Sequence, residues 1–209
     1  MTPKPPPSAS DIVTAIRTGR MADVRKAADH LFKHRTIEVP TSLLVEALER
    51  LAGRPVNWET TYKLVLALGA TGDASAIDFV RSLATRVLPA VRTAIGHALV
   101  LLGSRHRTLD AVLADPPLLA DPFLLDGVMR GLGVEQATVS DDLAIALLRR
   151  VMAGPPENYF WAAVACRAWL HLPIAVEFLS GCAARAEAPS TREAAALSLA
   201  GKTRRWTYF

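Results

Sequence analysis

The stretch LALGATGDASAIDFVRSLATRVLPAVRTAIGHALVLLG, residues 66–103, decides the fold. Apolar residues recur at Ile77, Val80, Leu83, Ala84 and Val87, then at Val91, Ile95, Ala98, Leu99 and Leu102. That three-and-four spacing marks one face of each of two successive helices. Asp73 is placed to cap the first helix. Pro89 opens the second, in the first-turn position where its missing N–H costs nothing. Gly103 is expected to end it. The segment reads as a helical hairpin.

The same reading extends in both directions. Upstream, Ser10 and Asp11 precede the short helix IVTAIRTG, and a second helix runs from Met21 to His34. Leu43, Leu44, Ala47, Leu48 and Leu51 mark a third, closed by Gly53, and Asn57 is placed to cap WETTYKLVLAL, which is expected to end at Gly69. Downstream, helices are expected over Arg107–Ala114, Pro122–Leu132, Ser140–Ala153, Glu157–His171, Pro173–Glu187 and Ser190–Lys202. Strand-like alternation is missing throughout, so the chain is expected to be all-α.

Alternate helices end alike. Residues 69, 103, 133, 171 and 201 lie at the helix ends, in steps of 34, 30, 38 and 30 residues. That period fits two helices and their turns, and a hairpin of this kind must stack on its neighbours to bury its apolar face. The predicted architecture is an α-solenoid of about five to six antiparallel helix pairs, with a compact bundle as the alternative. Residues 1–9, with four prolines in the first seven positions, form an expected disordered leader. Residues 10–202 form one solenoid domain, and 203–209 a basic and aromatic tail.

Composition sets the outer limits. Of 209 residues, 51% are hydrophobic and 21% charged, enough apolar mass for a sizeable core. The longest run without a charged residue is Thr93–Ser104, 12 residues, well short of the roughly 20 that a bilayer span needs. MTPKPPPSAS lacks the apolar run of a signal peptide, and Cys166 and Cys182 are too few for a disulfide framework, so a cytoplasmic protein is expected. The net charge of +4 is unevenly spread: +5 over residues 1–105, −4 over 106–199 and +3 over the last ten. Such polarity suits an anionic partner or a merely polarised surface.

The hairpin at 66–103 resembles a HEAT-like (armadillo-type) repeat, of the short kind found in bacterial phycobilin-lyase-type proteins. The resemblance rests on Leu68-Gly69, Gly72-Asp73, Ile77, Leu83, Pro89, Val91-Arg92, Ala94, Ala98-Leu99 and Leu102-Gly103. It covers about a fifth of the chain, and residues 104–201 keep the helix pairing without the Val-Arg signature. The Arg86-Val87-Leu88 turn lacks the aspartate such repeats often carry, so their Asp–Arg ladder is not expected here. The resemblance implies a right-handed solenoid whose second helices line a concave, protein-binding surface.

Chemistry-bearing patterns are sparse. His30 and His34 share a helix face, as a metal pair must, yet Leu31 stands where a metalloprotease needs glutamate, and no third ligand is evident. Neither a nucleophile elbow nor a phosphate loop occurs, Cys166 and Cys182 read as small buried hydrophobes, and Asp141 and Asp142 read as first-turn acids of a helix. A metal, a cofactor and a catalytic constellation are therefore not expected. Aromatic residues and arginines on the second helices are the candidate partner-binding set: Trp58, Tyr62, Arg92, Arg130, Tyr159, Trp161 and Arg167. Trp and Arg dominate binding hot spots. Phe160 shares their helix, and Trp169 is expected in the core.

The expected function is non-catalytic protein binding as an adaptor, accessory factor or inhibitor of the immunity type, with another protein as partner and no membrane. The alternative is nucleic-acid binding, possibly with base-excision chemistry like that of HEAT-like DNA glycosylases. A lyase acting on a bound chromophore or partner protein ranks third.

Overall fold

A computed structural model of the chain describes residues 6–204 and 206. Among them lie thirteen α-helices and no strand: α1 (Ala9–Thr18), α2 (Met21–Lys33), α3 (Thr41–Leu51), α4 (Trp58–Thr71), α5 (Ala76–Leu83), α6 (Pro89–Arg105), α7 (Leu109–Leu113), α8 (Pro116–Ala120), α9 (Pro122–Glu135), α10 (Asp141–Met152), α11 (Tyr159–Ala165), α12 (Pro173–Arg185) and α13 (Pro189–Leu199). The short α8 was not legible in the sequence. The expected helix Glu157–His171 divides into a 3-10 turn, α11 and a second 3-10 turn over Cys166–Trp169.

Local chemistry sets the helix starts. Ser8 caps α1 and exchanges hydrogen bonds with Asp11 in a capping box, so the end of the proline-rich leader joins the first helix. The Asp121 carboxylate accepts from the N–H groups of Phe123 and Leu124 at 2.9 and 3.0 Å and caps α9. Proline occupies the first turn of α6, α9, α12 and α13.

Helices α2, α4, α6, α9, α11 and α13 pack side by side in chain order, each against the next. They form an inner row. Helices α1, α3, α5, α7, α8, α10 and α12 flank it, each packed on its sequence neighbours. Helix α6 is central and buries eleven residues between Val91 and Gly103, which leaves it no polar face. Hydrogen bonds and ion pairs stitch the row at a regular sequence separation: Asp29–Lys63 (34), Glu49–Arg86 (37), Ala70–Arg105 (35), Asp110–Ser140 (30), Pro122–Asn158 (36) and Asp141–His171 (30). Arg92 reaches Asp121, 29 residues on, at 2.7 Å. An Arg–Asp link therefore joins adjacent units after all, its aspartate supplied by the cap of the next inner helix.

The glycines correct one reading of the sequence. Gly69, Gly103 and Gly133 were expected at helix ends and lie inside α4, α6 and α9. They are packing positions: a methyl on Gly69 would sit 2.6 Å from the Ala98 backbone, and one on Gly133 2.9 Å from Val164. The tightest crossing is between α6 and α9. There a Cβ on Gly96 would lie 2.2 Å from the Leu124 carbonyl oxygen, and one on Gly127 2.0 Å from the Thr93 carbonyl oxygen. Backbone cannot yield as a side chain can.

Gly127→Ala is therefore expected to destabilise the protein by about 3 kcal/mol, at the upper end of overpacking costs. Gly181→Ala, where a Cβ meets only the tip of Arg185 at 3.3 Å, should stabilise by up to about 1 kcal/mol through helix propensity. Urea denaturation of the two variants measures both. Equal effects would show that the α6–α9 backbone contact is not a constraint.

Candidate functional site

The inner row curves around a groove of about 1000 Å³ to which each of its helices contributes. The C-terminal half of α2 and the turn after it supply Asp29, Phe32, Lys33, His34 and Arg35. Tyr62, Lys63 and Leu66 come from α4, His97 from α6, and Arg130 and Val134 from α9. Val164 and Arg167 come from α11 and its 3-10 turn, Leu197 from α13, and Lys202, Arg204 and Trp206 from the segment beyond. Apolar side chains form the floor. Cations crowd the walls.

Glu135, at the end of α9, holds this region together. Arg35 donates to both of its oxygens, at 2.6 and 2.8 Å, across 100 residues of chain. His97, 1% exposed, lies 3.3 Å away through Nε2, with Phe32 edge-on to its ring. Burial pushes the Glu135 carboxyl upward, but the hydrogen bonds from His97 and Arg35 outweigh it and bring it down to about 2. Glu135 is thus an ionised acceptor, and His97 Nε2 is the donor. Burial holds the His97 pKa below its ordinary value, so the imidazole stays neutral. Arg35, Glu135 and Gln136 also border a second cavity of about 1050 Å³, which opens between the C-terminal ends of α4, α6 and α9. The Arg35–Glu135 pair stands beside both.

Of the seven candidate partner-binding residues, the structure brings four together. Arg130 donates to the Tyr62 hydroxyl and lies over the Trp161 ring, 5.7 Å from its centroid. Arg167 lines the groove beyond them. The other three are elsewhere. Arg92 is engaged with Asp121 at the first turn of α6. The Tyr159 ring packs edge-on to Phe178 of α12, with its hydroxyl 3.4 Å from the Met152 carbonyl. Trp58, 41% exposed, is the first residue of α4 and does not line the groove. Trp169 is in the core, as expected.

The sequence reading missed two contributions. One is the segment after α13: Trp206 lies edge-on to Phe160, which in turn packs on Trp161, and Arg204 pairs with Glu193. Residues assigned to a separate tail thus build part of the groove wall. The other is Asp126, a lone acid in the apolar run FLLDGVM of α9, one turn before Arg130. Burial raises its pKa to about 6, with the Arg130 charge opposing. The signal was that lone charge.

His30 and His34 stack with ring centroids 4.2 Å apart. Among the described residues, no three of His, Cys, Asp and Glu are grouped to hold a metal ion. Cys166 and Cys182 are buried, and burial raises both thiols above their ordinary value, which disfavours the thiolate. No helix of the described residues is long and apolar enough to cross a membrane. Compared with known protein families, curated proteins and solved structures, the chain matches none.

The Asp126 environment yields a signed expectation. A carboxyl whose folded pKa lies above its unfolded value is penalised when ionised, and the penalty vanishes as pH falls from about 6 through the ordinary carboxylate range. Asp126→Asn should raise Tm at pH 7, and the gain should disappear near pH 4, where the native aspartic acid is itself neutral. Thermal unfolding by circular dichroism at the two pH values checks this. A gain of equal size at both would show that Asp126 is not held in an unfavourable ionised state.

Proposed function

We propose that this chain is a HEAT-like α-solenoid that works as a non-catalytic protein-binding module, an adaptor, accessory factor or immunity-type inhibitor, through its concave groove. Support for the solenoid comes from the inner row itself. Each of its helices packs on the next, and the links between them recur at separations close to the sequence period. The binding reading is carried by one observation. A single groove gathers side chains from all six inner helices, and its ionisable lining is seven Lys or Arg against one Asp. Beside Tyr62 and Arg130 of its lining stands Trp161, and the three form the kind of aromatic–arginine cluster from which binding hot spots are built.

A second reading, nucleic-acid binding, is favoured by the same cationic lining together with the exposed faces of the Phe160–Trp161–Trp206 cluster. Salt separates the two. Phosphate tracking makes log affinity fall by about 0.7 to 0.9 per neutralised phosphate for each unit of log salt. A protein partner held on an apolar floor loses far less.

The deciding experiment is a tagged pull-down from nuclease-treated source lysate, comparing the native chain with a Tyr62→Ala/Arg167→Ala variant of matched helicity. The native chain is expected to retain one stoichiometric protein at high salt, and the variant to release it. Retention by both, or by neither, would overturn the groove as the binding face.

A further inference from the structure

Charge within the groove is not uniform, and its distribution selects the ligand. Asp29 is shared by Lys33 and Lys63, at 2.5 and 2.6 Å. The pull of the two ammonium groups outweighs its burial and holds its carboxyl below the ordinary range. Arg35 is committed to Glu135. The α2–α4 side of the groove is therefore largely neutralised, and Asp29 is the one carboxylate on its lining.

Around α9, α11 and α13 the balance differs. Arg204 meets Glu193, but the side chains of Arg167 and Lys202 make no hydrogen bond or ion pair with any described residue. Arg130 points its guanidinium at a hydroxyl and an indole. Between these cations lie Val164 and Leu197, with Trp206 on the wall.

We propose that this half of the groove is the receiving site for a short acidic segment of a partner protein, in which two or three Asp or Glu side chains flank an aromatic or aliphatic residue. The carboxylates meet Arg167 and Lys202. The apolar residue lies on Val164, Leu197 and the aromatic cluster. A nucleic-acid strand fits this pattern poorly. It carries a phosphate about every 3.4 Å and needs uncommitted cations along the whole track. Here they are confined to one half, and the other half would set Asp29 against the phosphates. The identification rests on the protein-binding reading above and narrows it to a chemical class.

The test uses the full chain and three probes: a fluorescein-labelled peptide Gly-Asp-Asp-Phe-Glu-Glu-Leu-Gly, the same peptide with lysine at each acidic position, and labelled oligothymidylate. Anisotropy titrations are run on the native protein, on Arg167→Glu/Lys202→Glu, and on Arg149→Glu, whose charge is exposed on the flanking helix α10. Both target side chains sit on the groove wall outside the core, and circular dichroism confirms that the variants keep their helicity. The acidic peptide should bind the native chain and the Arg149 variant alike, and lose at least about tenfold in the double reversal. The lysine peptide should bind the double reversal better than the native chain.

Three results would overturn the acidic-segment assignment: no binding of the acidic peptide, binding unchanged by the double reversal, or oligothymidylate binding more tightly than the peptide. The protein-binding reading fails separately. It falls if the native chain retains no protein, its groove assignment falls if the Tyr62→Ala/Arg167→Ala variant retains the same partner, and both survive if the variant loses that partner even though the acidic peptide does not bind.

Discussion

The crossing of α6 over α9 is a contact between two backbones, and the shape of the molecule depends on it. Gly96 and Gly127 each face a carbonyl oxygen of the other helix at a distance no side chain would permit. With the axes this close, α9 sits against α6 and leaves no intervening layer. The same device recurs on either side, through Gly69 against Ala98 and Gly133 against Val164. Small residues at these seams bring successive inner helices near enough for the row to curve on itself. A row spread by larger side chains would be flatter, and the turn after α2 would not reach the end of α9.

Glu135 fixes that closure. It stands on α9, holds Arg35 of the segment after α2, and touches His97 of α6, skipping α4 altogether. Glu135 is largely buried while Arg35 stays partly exposed, and truncating Arg35 would leave the ionised carboxylate with His97 alone. The pair therefore specifies geometry more than it adds stability. It ties the start of the row to α9 and stands beside both the groove and the cavity behind it. Asp126, on the same helix, has no such compensation: its carboxyl is half buried, with only the Arg130 charge to offset that burial. One helix thus carries an acid held ionised and an acid held close to neutrality.

Much of this was legible in the sequence. Apolar spacing located all the long helices, because one buried face at period 3.6 leaves an unambiguous trace in Ile77, Val80 and Leu83 or Val91, Ile95 and Ala98. The terminal prolines set their starts to within a few residues, whereas Asn57 makes no side-chain cap hydrogen bond to α4 and the N-cap of α5 is Ser75, two residues beyond the expected Asp73. Glycine misled at the other end: a residue that breaks helices by propensity was serving close packing, and only the identity of the opposing backbone distinguishes the two roles. The site was half legible. Tyr62, Arg130, Trp161 and Arg167 fall on inner helices at positions the period can place. Arg92 and Tyr159 have the same residue types, but a hydrogen-bonded neighbour or a flanking helix takes them up. Arg35 with Glu135 was beyond reach, since a contact over 100 residues depends on the curvature of the whole row. So was Trp206, whose packing on Phe160 is a property of the finished surface.

The groove lining carries seven Lys or Arg and one Asp, in a chain whose net charge is +4. A concavity lined mainly by one sign of charge focuses the field within it. Electrostatics of this kind mainly speeds encounter and orients the incoming segment, and it weakens with salt. Affinity at physiological ionic strength must then come from what the charges surround: the Val164 and Leu197 floor, the Phe160–Trp161–Trp206 cluster, and Arg130 stacked on Trp161. The choice of residue at that last position fits the division of labour. A guanidinium can lie over the indole and donate to the Tyr62 hydroxyl at once, which a compact ammonium group does less well.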